Sequence, residues 1–389
     1  MDFRAKVKSK WFFPAVIGLL VVISLLLFWK FFGFHENNDT EGFIYSIEFF
    51  RGERSDIYPG RYLNPFYPLV AGKALFFLSP ASALISINIF FYVGLIFLTY
   101  FLIKDVFKDE IIGFLTALFV MTGYTMVRYA LTQVQDMGGY FWFVLTLFAG
   151  WRWFKNSGWA WVALASASTA FGLLTKESGA MAAVFFGILV LWSKRKLINK
   201  GVVLALFSVL PFATIVINKI RSYDVGYDSL QWFRDNWEIY AATNYNFTKW
   251  IGINVSTFNL LLPVFLIGLY FIIRNWRTID NDVKLYLISV LPSSLSYLAW
   301  PLFISRTVFI CSWFVLPVVA YALRNLMLRG RFWLSSVYVF VFIAAVFPAA
   351  LQETLRYAHV FKIYDDCNKN IVCSWNYFWQ HRSEFSEKM

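Results

Sequence analysis

Eleven apolar runs, each close to the length of a membrane-spanning helix, divide this chain. A helix needs about 20 mostly apolar residues to cross the hydrocarbon core of a bilayer. The 389 residues are 59% hydrophobic and 15% charged, whereas soluble domains are about 25% charged. The sequence therefore predicts an all-α polytopic membrane protein. Its predicted spans lie near residues 11–33, 81–103, 110–127, 137–154, 158–175, 178–193, 201–219, 256–273, 283–304, 307–323 and 332–350.

The basic residues are unevenly shared between the loops, and this predicts the orientation of the spans. If the N-terminus is cytoplasmic, the inner loops carry 18 basic and six acidic residues, a difference equal to the chain's net charge of +12. Cytoplasmic loops are generally enriched in Lys and Arg, so the positive charge needs no nucleic-acid partner. The basic stretch 1–10 and the long apolar run after it predict an anchor rather than a cleaved signal. Eleven spans then place the C-terminus outside.

Two cysteines lie in the predicted external tail. Cys367 and Cys373 are in the compartment where disulfides persist, and we expect them to pair. Two free thiols are the alternative, because short cysteine loops also occur reduced. Cys311 lies within a predicted span and is expected to act as a small apolar residue.

The first external loop begins with acidic residues at the start of a short amphipathic helix. Ile44, Ile47 and Phe50 recur at helical spacing, which predicts a helix lying in the membrane interface. Asp39 stands at its start and Glu41 in its first turn, where free backbone N–H groups favour an ionised carboxylate. Asp39 is thus a candidate catalytic group, or it only caps this helix.

Further external charges come from distant parts of the chain. Arg61 lies later in the first loop and is either a ligand-binding cation or an anchor at the lipid headgroups. Arg128 and Asp136 flank a short turn between the third and fourth spans. They form either a functional pair or an ion pair that joins two helices.

Two more external sites complete this set. Lys176 and Glu177 adjoin between two apolar runs, as a self-neutralising turn or as part of an anion site. Arg306 is an isolated cation before the tenth span. Carboxylates and cations that converge on one membrane face suit a substrate with an apolar tail and an anionic headgroup.

The external loop 220–255 is predicted to contain a second amphipathic helix. Leu230, Phe233 and Trp237 recur at helical spacing among charged residues. This helix is either a lid over a site or an element that floats in the interface, where Trp and Tyr are common.

Several kinds of site lack their sequence signature. The chain has no glycine-rich phosphate loop of the P-loop or dinucleotide type, which argues against an NTPase or a nicotinamide enzyme. His35, His359 and His381 show no metal-ligand spacing and support no His-based triad. We therefore assign no metal site and expect carboxylates and cations to carry the chemistry. Binding of a loosely held divalent cation is left as an alternative, because acidic loops can hold such ions without a recognisable motif.

Taken in order, these segments resemble the GT-C superfamily of integral membrane glycosyltransferases. The similar branch contains the protein O-mannosyltransferases and aminoarabinose transferases. Four features carry the resemblance: Asp39 ahead of an interfacial helix, Arg128 through Asp136, Leu173 through Gly179, and Arg306 through Pro317. The chain departs from the branch in two places. Thr40 separates Asp39 from Glu41 where the family often has adjacent acids, and Asn64-Pro65-Phe66 stands where it often has Lys-Pro-Pro.

The resemblance implies an enzyme that takes a sugar from a polyprenyl-phosphate carrier on the non-cytoplasmic face. Asp39 is then the general base and Asp136 a second acidic residue near the acceptor, which is a lipid, glycan or protein hydroxyl. Lys176 and Arg306 are candidates for binding the carrier phosphate, and Arg61 for replacing the missing lysine. Glu41, Arg128 and Glu177 complete the predicted substrate-binding set.

The resemblance also suggests how the single membrane domain 1–389 is organised. Residues 1–195 form a GT-C-like catalytic module, residues 196–350 variable helices that include the loop 220–255, and residues 351–389 the external tail. The short loops favour a bacterial inner membrane, and the endoplasmic reticulum fits the same topology.

Two other functions suit a polytopic chain with these charges. A flippase or transporter of lipid-linked glycans would use the same cations without breaking a bond, but no paired inverted repeats occur in the sequence. A glycan polymerase or ligase would also be rich in aromatic residues and large outer loops. The early position of the ordered acids favours the transferase.

Overall fold

The computed structural model is all-helical over the part of the chain that it describes. That part comprises residues 11–31, 39–129, 132, 134–226, 231, 233–235, 237–238, 247–299 and 304–357. In chain order its α-helices are α1 (Phe12–Phe31), α2 (Thr40–Arg51), α3 (Pro59–Leu63), α4 (Phe66–Leu69), α5 (Pro80–Phe107), α6 (Glu110–Thr122), α7 (Tyr124–Tyr129), α8 (Asp136–Asn156), α9 (Trp159–Thr175), α10 (Ala183–Trp192), α11 (Leu197–Val225), α12 (Phe247–Phe258), α13 (Leu261–Arg274), α14 (Asn281–Ser294), α15 (Ser305–Val308), α16 (Ser312–Leu328) and α17 (Phe332–Tyr357).

Capping residues set several of these helix boundaries. Ser79 accepts a hydrogen bond from the Ser82 amide at the start of α5, where Pro80 supplies a fixed first φ angle. The Asp109 carboxylate accepts from the first-turn amides of α6. At their C-terminal ends, α5 and α8 stop at Lys108 and Ser157, which adopt left-handed φ angles of 54° and 60°.

Each of the eleven predicted spans overlaps an observed helix or a pair of consecutive helices. Among the described residues, four helices are long and apolar enough to cross a bilayer, or five if the bent pair α12–α13 counts as one span. The four are Phe12–Trp29, Pro80–Phe107, Leu197–Val225 and Ser305–Leu328. Shorter apolar helices occupy four further predicted spans. The structure thus has several candidate spans, and it does not establish the number eleven.

Several predicted boundaries were wrong. The run 256–273 is not one continuous helix, because α12 and α13 meet at an angle of 93°. The run 178–193 begins with a 3₁₀ turn, Glu177–Ala180, before α10. Helix α11 continues five residues past the predicted start of the external loop at 220. The predicted amphipathic helix around Trp237 and the pair Cys367 and Cys373 lie partly or wholly outside the described residues.

The charges gather at both ends of α8. At its C-terminal end, Arg152 pairs with Asp105 at 3.1 Å and Lys155 with Asp282 at 2.6 Å. These contacts join loops that the sequence places together on the inner side. Asp136 begins the same helix at the other end. Twenty-one residues at 1.5 Å per residue extend about 30 Å, close to the hydrocarbon thickness of a bilayer.

Helix α9 and the turn after it pack with direct contact between their backbones. A Cβ atom on Gly172 would lie 2.7 Å from the Gly179 carbonyl carbon and 2.9 Å from the Ala180 amide nitrogen. Only glycine permits so close an approach. The contact turns the chain sharply after α9, and Lys176 lies within that turn.

Candidate active site

Asp39 is held by two guanidinium groups at the N-terminus of α2. Its Oδ1 lies 3.5 Å from Arg61 Nη2 and its Oδ2 lies 3.2 Å from Arg306 Nη1. Its side chain caps no backbone N–H among the described residues, although it occupies the N-cap position. The Asp39 side chain keeps 39% of its surface exposed. The helix-cap interpretation is therefore not supported, and the carboxylate stays accessible to a ligand.

Asp136 is the first residue of α8, and its side chain is only 2% exposed. It pairs with Lys176 through Oδ1, and its Oδ2 lies 3.3 Å from Arg306 Nη1. Burial by itself would raise the pKa of Asp136, but the two cations outweigh it and hold the pKa below its usual range. Asp136 is thus an ionised carboxylate whose charge is already neutralised.

Arg306 joins the two carboxylates through one nitrogen atom. Its Nη1 lies within hydrogen-bond distance of both Asp39 and Asp136. The backbone of Arg306 is held by Tyr140 of α8, whose hydroxyl donates to the Arg306 carbonyl oxygen at 2.6 Å. A residue from the C-terminal half of the chain therefore completes a charge cluster whose other members come from the N-terminal half.

A cavity of about 470 Å³ surrounds these groups. Its charged lining consists of three carboxylates, Asp39, Asp136 and Glu177, and three cations, Arg61, Lys176 and Arg306. Glu177 accepts a hydrogen bond from Asn64 Nδ2 at 2.9 Å. Charges of both signs in a partly water-excluded pocket can bind an anionic group and receive a proton from a hydroxyl.

The arrangement distinguishes between the alternatives that the sequence left open. Arg61 faces the cavity with its side chain 15% exposed, which argues against a headgroup anchor. Lys176 pairs with Asp136 while Glu177 binds Asn64, so this turn is not simply self-neutralising. Asp136 contacts Lys176 and Arg306, whereas the side chain of Arg128, on α7, lies outside the described part of the structure.

Glu41 does not join the cluster with the other predicted residues. It is exposed in the first turn of α2 and is not among the described residues that line the cavity. A helix places successive side chains about 100° apart, so Asp39 and Glu41 point in different directions.

Sequence reasoning missed three residues that support the site. Asn64, noted only as a departure from the family pattern, binds Glu177. Tyr67 and Asn88 are fully buried and contact the turn that carries Asp136. An asparagine within an apolar span was the available signal, because polar groups at membrane depth need partners.

No metal-binding cluster is present in the described ranges. There, no group of three or more His, Cys, Asp or Glu side chains has a spacing that could hold a metal ion.

Comparison with known proteins shows a partial family match and a similar fold. The family profile described as dolichyl-phosphate-mannose-protein mannosyltransferase matches residues 60–219. The fold resembles the Archaeoglobus fulgidus oligosaccharyltransferase in its apo form, with a TM-score of 0.57, 12% identity and 95% of this chain covered. The profile covers less than half of the chain, and at 12% identity the structural likeness concerns the fold. No curated protein matches this chain at a significant level.

A second structure shares the fold. Archaeal oligosaccharyltransferase AglB from Archaeoglobus fulgidus, in complex with an inhibitory peptide and a dolichol-phosphate, has a TM-score of 0.50 and 14% identity over 90% of this chain. The chain spans 56% of the length of each archaeal protein. Of the cavity residues, Arg61, Asp136 and Lys176 lie inside the segment that the family profile matches, whereas Asp39 and Arg306 lie outside it.

Replacing Asp136 should cost more stability than replacing Asp39. Asp136→Asn leaves Lys176 partly buried without its carboxylate partner and leaves Arg306 paired with Asp39 alone, and breaking a buried pair in this way costs about 3–5 kcal/mol. Asp39→Asn removes a carboxylate that water already reaches, and we expect a smaller loss. Thermal unfolding of the purified variants in detergent measures the difference.

The double variant Asp136→Asn/Lys176→Met supplies the control. It removes one orphaned cation and should recover part of the lost stability. Equal unfolding temperatures for wild type and Asp136→Asn would contradict the assignment of Asp136 as the neutralised centre of the cluster.

Proposed function

We propose that this protein is a GT-C superfamily glycosyltransferase, which moves a sugar from a polyprenyl-phosphate carrier to an acceptor hydroxyl on the non-cytoplasmic face of the membrane. The observation that carries the proposal is the accessible carboxylate of Asp39, held between Arg61 and Arg306 in a cavity with a third cation, Lys176. A base beside cations is the combination that transfer from a sugar phosphate requires, because one partner loses a proton while the other leaves as an anion.

The donor phosphate would bind to the cations of the cavity. Arg61 Nε has no hydrogen-bond partner among the described residues, and the guanidinium lies 3.9 Å from the centre of the Phe43 ring. This fixed guanidinium, with Lys176 and Arg306, can accept a phosphate at the membrane surface. The matched family profile is described by a dolichyl-phosphate sugar, and AglB was solved with a dolichol-phosphate, which supports this class of carrier.

Glu177 would bind the sugar rather than the phosphate. A carboxylate repels an anion but accepts hydrogen bonds from hydroxyl groups. Asn64 orients Glu177 from one side. We assign Asn64 and Glu177 to the sugar end of the cavity, and we leave the acceptor as a lipid, glycan or protein hydroxyl. The inhibitory peptide in the AglB complex is consistent with a protein acceptor.

The chemical step would be one displacement. The acceptor oxygen attacks the anomeric carbon as Asp39 takes the hydroxyl proton, and the bond from that carbon to the phosphate oxygen breaks. Both electrons of that bond leave with the polyprenyl phosphate, whose growing charge Arg61, Lys176 and Arg306 stabilise. No nucleotide is needed, because the phosphate is already a good leaving group.

Loss of the base should abolish transfer. In Asp39→Asn, release of free polyprenyl phosphate from polyprenyl-phosphate sugars in the presence of membrane extract should fall by about 100-fold or more, the usual contribution of a general base. Glu48→Gln is the matched control. It also replaces a carboxylate by an amide on the same helix. The ion pair that it breaks, Glu48–Arg54 at 3.1 Å, does not line the cavity, so the release rate should stay near that of the wild type.

Equal release by wild type and a folded Asp39→Asn would remove Asp39 from the chemistry. Lipid-linked sugar that crosses vesicle membranes while no carrier phosphate is released would favour the flippase instead.

The displacement should invert the anomeric centre. Retention would need a second carboxylate as nucleophile, and Asp136 is 2% exposed and bound to two cations. Proton NMR of the purified product, compared with the donor, reports the anomeric configuration. A product that keeps the donor configuration would contradict a single displacement.

The cavity should open to the external side in the proposed topology of eleven spans, with a cytoplasmic N-terminus and an external C-terminus in a bacterial inner membrane. Single cysteines at two exposed positions test it, after Cys367 and Cys373 are changed to serine. Ser55→Cys lies in the loop that carries Arg61, and Thr278→Cys lies in the loop at the other end of the bundle. A membrane-impermeant maleimide should label only Ser55→Cys in intact cells. The reverse pattern would place the cavity in the cytoplasm.

A further inference from the structure

Tyr67, on the short helix α4, connects three elements that meet behind the cavity. Its hydroxyl accepts a hydrogen bond from the Gly138 amide of α8 at 2.8 Å and donates to Asn88 Oδ1 of α5 at 2.6 Å. Asn88 Nδ2 in turn donates to the carbonyl oxygens of Thr132 and Val134, at 2.5 and 2.9 Å. Tyr67 and Asn88 are both fully buried.

The donor and the acceptor of each hydrogen bond in this network are fixed. A backbone amide can only donate, so the Tyr67 hydroxyl must use its single proton for Asn88 Oδ1. The Asn88 amide group then has both its protons free for the two carbonyl oxygens. Such a network has no second arrangement, and losing one member leaves other buried groups unpaired.

Tyr67 performs the capping that the N-cap residue of α8 does not supply. The first amides of a helix lack partners within that helix. In the described structure, the Gln135 side chain caps none of them. The Gly138 amide is one of these groups, and the Tyr67 hydroxyl satisfies it from another helix. The start of α8, and hence Asp136, is therefore placed by a tertiary contact.

The ring of Tyr67 also fixes how closely α8 approaches the Lys176 turn. A Cβ on Gly138 would lie 2.6 Å from Tyr67 Cε2 and 2.9 Å from Thr175 Cγ2. Thr175 immediately precedes Lys176, and its Oγ1 accepts from Trp142 Nε1 of α8 at 3.1 Å. Gly138 is thus packed between Tyr67 and the residue that leads into Lys176.

We propose that Tyr67 and Asn88 are positioning residues that set Asp136, and through it Lys176 and Arg306, for transfer of the sugar. This inference rests on the proposed function. Neither side chain lines the cavity among its described residues, so both act through the backbone at Thr132, Val134 and Gly138. A displacement of about 1 Å in a catalytic group can slow a reaction by about 100-fold, so a buried hydroxyl outside the cavity can control the rate.

Tyr67→Phe keeps the ring and removes only the hydroxyl. We expect kcat to fall by about 10- to 100-fold, with the KM for the polyprenyl-phosphate sugar changed much less, because Arg61 is untouched. Hydrogen exchange of the peptide that contains the Gly138 amide should become faster. In the double variant Tyr67→Phe/Asn88→Leu, kcat should fall little further than in the single variants, because the two side chains belong to one hydrogen-bond network.

Tyr92→Phe is the matched control. Tyr92 is also fully buried, lies one turn from Asn88 on α5, and bonds to Ser24 Oγ at 2.8 Å on the side of α1. It should lose similar stability while kcat and exchange at Gly138 stay at wild-type values. Equal effects of the two Tyr→Phe changes on both readouts would overturn the proposal and leave Tyr67 a packing residue. If the wild type transfers no sugar from any donor, the proposed function fails, and unchanged exchange in Tyr67→Phe would still refute the positioning role.

Discussion

The buried carboxylate of Asp136 is the centre on which the arrangement of the site depends. An ionised group that is 2% exposed at the edge of a membrane domain is stable only if cations and hydrogen bonds replace its water. Lys176 and Arg306 supply that charge, and they come from two other segments of the chain. Meeting this one requirement brings the start of α8, the turn after α9 and the start of α15 to the same place. The cavity is formed where these segments meet.

The different surroundings of Asp136 and Asp39 fit the different roles proposed for them. Asp136 holds two cations in position and has little freedom to take a proton. Asp39 shares Arg306 with it but keeps 39% of its side chain exposed, and so remains accessible to solvent. Each of the two carboxylates contacts two cations, and they differ in burial, which is the basis for the different roles proposed for them. Behind the cavity, Tyr67 and Asn88 hold the start of α8 through hydrogen bonds rather than through charge pairs.

Several features of the fold and the site were predictable because they depend on local pattern. The apolar runs overlap the observed helices, the amphipathic pattern around Ile47 marks α2, and the loop charges separate into groups found at the two ends of α8. Asp39, Arg61, Asp136, Lys176, Glu177 and Arg306 were all candidates, and all line one cavity. Pattern could not show that Glu41 points away, or that the helix around residues 256–273 bends by 93°. Side-chain direction and helix breaks depend on neighbours that are distant in sequence.

The sequence by itself therefore determined that this chain is a helical membrane protein with charged groups on one face, since hydropathy and charge act through composition and order along the chain. Only the tertiary structure decided which charges pair. An ion pair between Asp136 and Arg128 across a short turn was one of two interpretations, and the described partners of Asp136 are Lys176 and Arg306, the latter 170 residues away. The choice between near and distant partners is made by packing. Backbone contact at Gly172 and Gly179 and the hydroxyl of Tyr67 set the distances within which a charge pair can form.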